Sequence, residues 1–192
     1  VHPIDPSSLR ALLPAIAGDI RAWTTEFDRD GDQLPERIAP RLTGYDLDIL
    51  SFWYFHGLRF DRSARLQAME RADFASFVFA NARGAAELAR AAGDATLAGE
   101  MDRVADGIRA AVLVLLWDDD SGLFYPQRSA DDARAPVREL HGFFPFAVGL
   151  APDEARYTRA LAKLIDPQEF WARFGPVITS QAHYREWTWE MD

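Results

Sequence analysis

Between Phe27 and Asp48 the chain reads "FDRDGDQLPERIAPRLTGYDLD", five aspartates and one glutamate set among two glycines and two prolines. Carboxylates at that density suit three kinds of chemistry. Asp28, Asp30 and Asp32 occupy positions 1, 3 and 5 of a calcium loop, although Gln33 replaces its glycine and Ala39 its bidentate glutamate. A pair of carboxyl groups can instead cleave a glycosidic bond, one protonating the leaving oxygen while the other activates water or attacks carbon. Asp46 is the candidate acid for that reaction, because the aromatic run "FWYF" behind it can desolvate a carboxyl and raise its pKa. The third possibility is a solvated connection of Asx turns, in which Asp46 caps the next helix and Asp48 sits in its first turn.

Sugars stack their C–H faces on aromatic planes. That makes Tyr45, Trp53, Tyr54, Trp171, Trp187 and Trp189 candidate binding platforms, with Glu190 or Glu186 reaching substrate hydroxyls. Large rings also dominate cores, and Trp53 and Trp117 fit a core reading. The Trp187 to Glu190 cluster, in polar irregular context, favours a pocket. Arg37 and Arg41 fit either a carboxylate or sugar-hydroxyl partner or a plain surface arginine. Of the four histidines, none is paired at the i, i+4 spacing of a helical zinc site, and the absence of cysteine removes thiolate metal sites and disulfides. His141 and His183 read as hydrogen-bonded structural residues. No resident cofactor is expected; calcium at Asp28, Asp30 and Asp32 is the alternative.

The net charge of −9 and the dispersed arginines exclude the basic footprint of a nucleic-acid binder. No membrane span is expected either, since the longest apolar run, Ala110 to Trp117, is far short of the roughly 20 residues needed. The N-terminus has neither the basic nor the apolar region of a signal peptide, and the compartment stays open.

The elements that must position these residues are helices. Ser7 or Ser8 suits the N-cap of a helix reaching toward Phe27, with Pro14 marking a kink or a later start. Gln67 to Ala92 is strongly amphipathic, Gly93-Asp94 supplies a stop and a fresh cap, and Ala95 to Trp117 carries a stripe of Leu97, Met101, Val104, Ile108, Val112 and Leu115. The two segments therefore form an antiparallel helical hairpin. A turn at "DDDSGLFYP", shorter helices around "HGFFPFAVGL" and "DEARYTRALAKLI", and a loop from "DPQEFW" complete the chain. At 192 residues the chain fits one mainly α domain, with no sheet larger than two or three short strands.

In order along the chain, "DRDGDQLPE", "TGYDLD" before an aromatic-rich helix, "LLWDDDSGLFYP" closing the hairpin and "LIDPQEFWARFGPVITSQAHY…WTWE" resemble the (α/α)6-barrel, or six-hairpin, glycoside hydrolases. The nearest groups are the trehalases, the α-glucosidase I type and the mannosylglycerate-hydrolase-like enzymes. The resemblance implies a glycosidase using acid/base carboxylates with inversion, Asp46 as general acid and a second carboxylate late in or outside this chain. It also implies residues 1–192 as a single domain forming part of a catalytic barrel, hence an incomplete toroid of antiparallel helical hairpins with long loops. The expected partners are a carbohydrate substrate and whatever covers the helix face left open: the remainder of the barrel or a second copy. The acidic loop is expected near Asp46 at one end of the array. A non-catalytic helical scaffold that binds a sugar or a protein is the alternative function.

Overall fold

The computed structural model describes residues 6–37, 51, 54 and 67–183. Its frame is three helices: α1 over Pro6–Trp23, α2 over Ala72–Ala91 and α3 over Ala95–Ala111. Helices α2 and α3 form the expected hairpin. Gly93 takes φ of 80°, a left-handed conformation that favours glycine, and the Asp94 carboxylate accepts from the Leu97 N–H at 2.9 Å to start α3. The hairpin is close because α2 buries a seam of small residues, Ala75, Ala82, Ala85, Ala86 and Ala89, toward Ala98, Met101, Ala105 and Ile108 of α3. Filled positions such as Met101 and Ile108 each contribute about 1.5–3 kcal/mol through removal from water. Along the stripe, Met101, Ile108 and Val112 are buried, whereas Leu97, Val104 and Leu115 are partly buried.

Helix α1 lies across the hairpin. Leu9 and Leu13 pack against Ala89, Ala92 and Ala98, and the Arg10 guanidinium donates to the Ala92 carbonyl at 2.8 Å, satisfying one of the carbonyls a helix end leaves open. A two-pronged contact from Arg21 to Glu100, at 2.6 and 2.8 Å, ties α1 to α3. Pro14 is inside α1, which begins well before it.

Two boundaries of the hairpin and the size of one sheet differ from the sequence reading, and α1 runs from Pro6, with Ser7 and Ser8 inside it rather than at its cap. Gln67 to Ala92 is helical only from Ala72, because Met69–Glu70 forms a strand, β2, paired on both sides. Helix α3 gives way at Val112–Leu116 to a wider π turn, and Trp117 leaves the helix in extended backbone. The expectation of at most two or three strands in a sheet is exceeded by one: β1 (Glu36–Arg37), β2, β5 (Gln127–Arg128) and β6 (Ala133–Arg134) form an antiparallel four-stranded ladder. Each strand is two residues long, so the ladder clasps the ends of a helical array without changing its class.

A tight hairpin of β3 (Trp117–Asp118) and β4 (Leu123–Phe124) follows α3, as "DDDSGLFYP" suggested. Asp118 accepts from the Ser121 N–H at 2.9 Å, and Asp119 holds the Trp117 indole at 2.8 Å and Arg156 through both oxygens. Trp117 is buried against Phe124 and Tyr157, each with ring centroids 4.8 Å away, which agrees with its core reading. The chain continues through a 3-10 turn at Leu140–Phe143, α4 (Phe144–Ala147), α5 (Ala155–Thr158), a second 3-10 stretch at Arg159–Ile165 and the hairpin β7 (Trp171–Ala172) and β8 (Gly175–Pro176). No helix among the described residues is long and apolar enough to cross a membrane.

Candidate active site

Asp46, Tyr45, Trp53, Trp187, Trp189 and Glu190 lie outside the described residues, as do Arg41 and Glu186, so the expected proximity of the acidic loop to Asp46 lies outside them too. The loop after α1 is nested from its own carboxylates. Asp28 accepts from the N–H groups of Gly31 (2.9 Å) and Gln33 (3.1 Å), Asp30 from Asp32 (3.4 Å), and Asp32 from Leu34 (2.7 Å). Leu34 is fully buried beneath them, and the Glu36 N–H closes the loop on the Phe27 carbonyl at 2.6 Å. Gln33 adopts φ of 76° where the resemblance places a glycine, and its amide oxygen fills the space that a side chain at Gly107 would need. One oxygen each from Asp28, Asp30 and Asp32 falls within 4.8 Å of the others, so these are the residues that could hold a cation. Burial, with Asp30 and Asp28 nearby, pushes the Asp32 carboxyl up to about 6.

Next to the loop, β2 and the residue after it present two charges in succession, and extended backbone sends successive side chains to opposite faces. Glu70 is fully buried, and one of its oxygens accepts from the Gln127 amide at 2.6 Å. Burial, reinforced by Asp32 and Asp30, pushes its carboxyl up to about 8. Arg71 enters a different cluster. Its Nε donates to Asp73 at 3.1 Å, Nη1 to the Ser51 hydroxyl at 2.8 Å and to Glu139 at 3.2 Å, and Nη2 lies 3.0 Å from His141 Nδ1. A guanidinium only donates, so Nδ1 accepts. Glu139 takes both donors of Ser51, the N–H on Oε1 and the hydroxyl on Oε2, each at 2.9 Å. All five residues are buried. Burial is the largest single influence and opposes the charge on Glu139, but the Arg71 guanidinium, His141 and the Ser51 N–H together outweigh it and hold the carboxyl down to about 2. Burial also works against the Arg71 charge, and Asp73 and Glu139 hold it above its ordinary value.

This cluster was missed from the sequence, where nothing singled out Arg71, Asp73 or Glu139. A signal existed in Arg71 and Asp73 bracketing the start of a helix whose other neighbours are apolar, but the other partners of Arg71 come from 20 to 70 residues away. His141 has the hydrogen-bonded structural role expected of it. Arg37 is half-buried, and its guanidinium carbon sits 3.5 Å from the Phe74 ring centroid and 4.2 Å from that of Trp23. Burial lowers its pKa.

Of the aromatic platforms, Tyr54 and Trp171 are within the described residues, and both are exposed, by 40% and 44%. Trp171 opens the β7–β8 hairpin. Its carbonyl accepts from the Gln181 amide at 2.8 Å, and Phe174 at the hairpin's far end is 93% exposed.

The sequence profile of the family described as "Mannosylglycerate hydrolase MGH1-like glycoside hydrolase domain" matches residues 1–187. The chain belongs to that family. Among solved structures it is similar to a GH63 mannosylglycerate hydrolase from Thermus thermophilus, with 13% identity and a TM-score of 0.71 over 83% of this chain and 48% of that one. It is also similar to a protein named sialidase, with 20% identity and a TM-score of 0.75 over 93% of this chain and 15% of that one. A GH78 rhamnosidase of Bacillus sp. GL1 matches with 17% identity and a TM-score of 0.62 over 85% and 15%. These likenesses establish the fold, that of the helical-toroid glycosidases, and agree with the resemblance read from the motifs. The chain spans about half the length of the mannosylglycerate hydrolase it matches and a smaller share of the other two.

Proposed function

We propose that residues 1–192 form part of the catalytic domain of an inverting glycoside hydrolase. The observation that carries this reading is the family match across residues 1–187. Asp46 is the general acid, protonating the leaving oxygen, and the second carboxylate comes from late in the chain or from the rest of the toroid. Tyr45, Trp53, Tyr54, Trp171, Trp187 and Trp189 supply stacking faces, and Glu190 a contact to hydroxyls. The exposure of Trp171 and Tyr54 supports that role for those two. Mannosylglycerate, for which the family and one structural relative are named, is the first substrate to try.

The exposed apolar side chains Leu161, Ile165, Trp171, Phe174 and Ile178 belong to the second 3-10 stretch and the β7–β8 region, which pack on each other. Their exposure and the chain's coverage of 48% of the hydrolase chain support a face that receives the remaining hairpins of the toroid. The test of the reaction is proton NMR of the complete protein acting on mannosylglycerate and on a panel of other glycosides. The reading expects a free sugar released first in the anomer opposite to the substrate's. Release with retained configuration would overturn the inverting mechanism, and no release from any glycoside would overturn the enzyme.

A further inference from the structure

We propose that Arg37 is a carboxylate-binding residue, the docking point for a small hydroxy acid, free or as the acid end of a glycoside; its link to hydrolysis rests on the glycosidase reading above. Extended backbone sends Glu36 and Arg37 of β1 to opposite faces. Glu36 is buried, and its carboxylate is engaged by Arg29 through the N–H at 3.1 Å and the guanidinium at 3.8 Å. Arg37 turns instead toward the end of α1 and the first turn of α2. There the rings of Trp23 and Phe74 stand with planes 76° apart and centroids 4.9 Å apart, and Phe27 lies 4.4 Å from Trp23. The guanidinium carbon occupies the angle between Trp23 and Phe74, 4.2 Å from one centroid and 3.5 Å from the other. Ring faces at these distances hold a guanidinium by cation–π attraction and fix its place without consuming its N–H groups.

Those N–H groups are unspent. Among the described residues Arg37 has no hydrogen-bond or ion-pair partner, and its Nε is enclosed without an acceptor. Asp73 is the carboxylate whose field reaches it, but Asp73 is bonded to the Arg71 Nε at 3.1 Å. The arginines nearby in sequence and space are already paired, Arg71 with Asp73 and Glu139 and Arg29 with Glu36. Burial works against the Arg37 charge more than Asp73 supports it. Filling an aromatic corner does not require a charge; a methionine would do so without the desolvation cost of an unpaired cation. What the charge adds is a rigid fork of donors, which a carboxylate matches with two parallel hydrogen bonds. One uncommitted guanidinium suits a single negative charge better than a phosphate dianion, and the chain's net charge of −9 disfavours a polyanion.

The experiment is calorimetric titration of the complete protein with D-glycerate, the acid portion of the substrate proposed above, and with glycerol, which offers hydroxyls without the carboxylate. Wild type is expected to bind glycerate at least about tenfold more tightly than glycerol, as a charge-assisted pair allows. Arg37→Met, which fills the corner without charge, is expected to abolish that preference. Arg37→Lys keeps a charge but not the planar fork, is expected to lose about fivefold or more in glycerate affinity, and serves if Arg37→Met does not fold. No preference for glycerate in wild type, the result if a protein carboxylate from the rest of the toroid already holds the fork, would overturn the proposal. Unchanged glycerate binding in both variants, or equal losses for glycerate and glycerol, would overturn it too. Turnover separates the two sources of the acid. Arg37→Met raising KM for mannosylglycerate but not for methyl mannoside marks the acid end of the substrate, whereas lost glycerate binding with both KM values unchanged marks a free acid. Binding needs no turnover, so the two readings fail separately. Glycerate held through Arg37 by a protein that cleaves no glycoside would remove only the hydrolase, and glycoside hydrolysis without an Arg37-dependent preference for glycerate would remove only the carboxylate site.

Discussion

Glu70 and Glu139 are both enclosed glutamates, one on β2 and the other bonded to Arg71, the residue after it, and the protein keeps them in opposite states. Glu70 has the Gln127 amide as a donor and the carboxylates of Asp30 and Asp32 for company, so burial pushes it up to about 8 and favours its protonated form. Glu139 is buried too, but it has a guanidinium and the two donors of Ser51, and it stays ionised down to about 2. The contrast shows that enclosure does not decide the charge of a carboxyl; the donors aimed at it do.

Mutation sharpens the comparison first. Arg71→Met leaves Glu139 and Asp73 buried without their cation and is expected to cost about 3–5 kcal/mol of unfolding free energy in urea. Glu70→Gln replaces a neutral group with one of the same shape, and at about pH 4, where the glutamate is largely protonated folded or unfolded, it is expected to stay within about 1 kcal/mol of wild type. Comparable losses from the two variants would erase the distinction.

Acidity gives the second, intermediate effect. Because the folded pKa of Glu70 is raised above its ordinary 4.5, its contribution is complete below that value and is lost as pH climbs toward about 8, by an amount on the order of a few kcal/mol. Asp32 adds a smaller loss in the same direction, between its ordinary 3.8 and about 6. Glu139 runs the other way, contributing above pH 4.5 and losing its contribution as pH falls toward about 2. Chemical denaturation across this range should therefore show stability falling on the alkaline side, and Glu70→Gln should flatten that slope. An unchanged slope in the variant would mean that Glu70 does not titrate there.

The smallest effect belongs to the surface. Phe174→Ser, at a side chain 93% exposed, is expected to change the stability of this chain by about 0.5 kcal/mol or less. The same change is expected to weaken any assembly that covers the hairpin, which sedimentation of the complete protein would detect.

Much of the fold was legible in the sequence because helix period and end signals are local. Gly93 and Asp94 alone specified the hairpin's turn, and the Met101, Ile108, Val112 stripe specified its buried face. The start of α2 was misread because Met69 and Glu70 continue the amphipathic pattern, while their strand is set by pairing with Glu36–Arg37 and Gln127–Arg128, far along the chain. The acidic loop's Asx turns were readable for the same local reason as the caps. The Arg71 cluster was not, since a charged residue looks alike in sequence whether it faces water or a partner 68 residues away. Trp171 and Tyr54 illustrate the remaining case: aromatic type suggested a platform or a core, and exposure leaves the platform role open to them.

The most direct test of the acid assignment is to measure turnover and thermal melting on the same preparations of wild type and Asp46→Asn in the complete protein. An amide keeps the size and much of the capping capacity of the aspartate but cannot deliver a proton. The account predicts a fall of about 10² to 10⁴ in the hydrolysis of the natural glycoside with an unchanged melting temperature. Turnover close to wild type with a melting point lowered by the loss of about 1 kcal/mol of helix capping would contradict it, and would return Asp46 to the role of a cap at the end of a solvated loop.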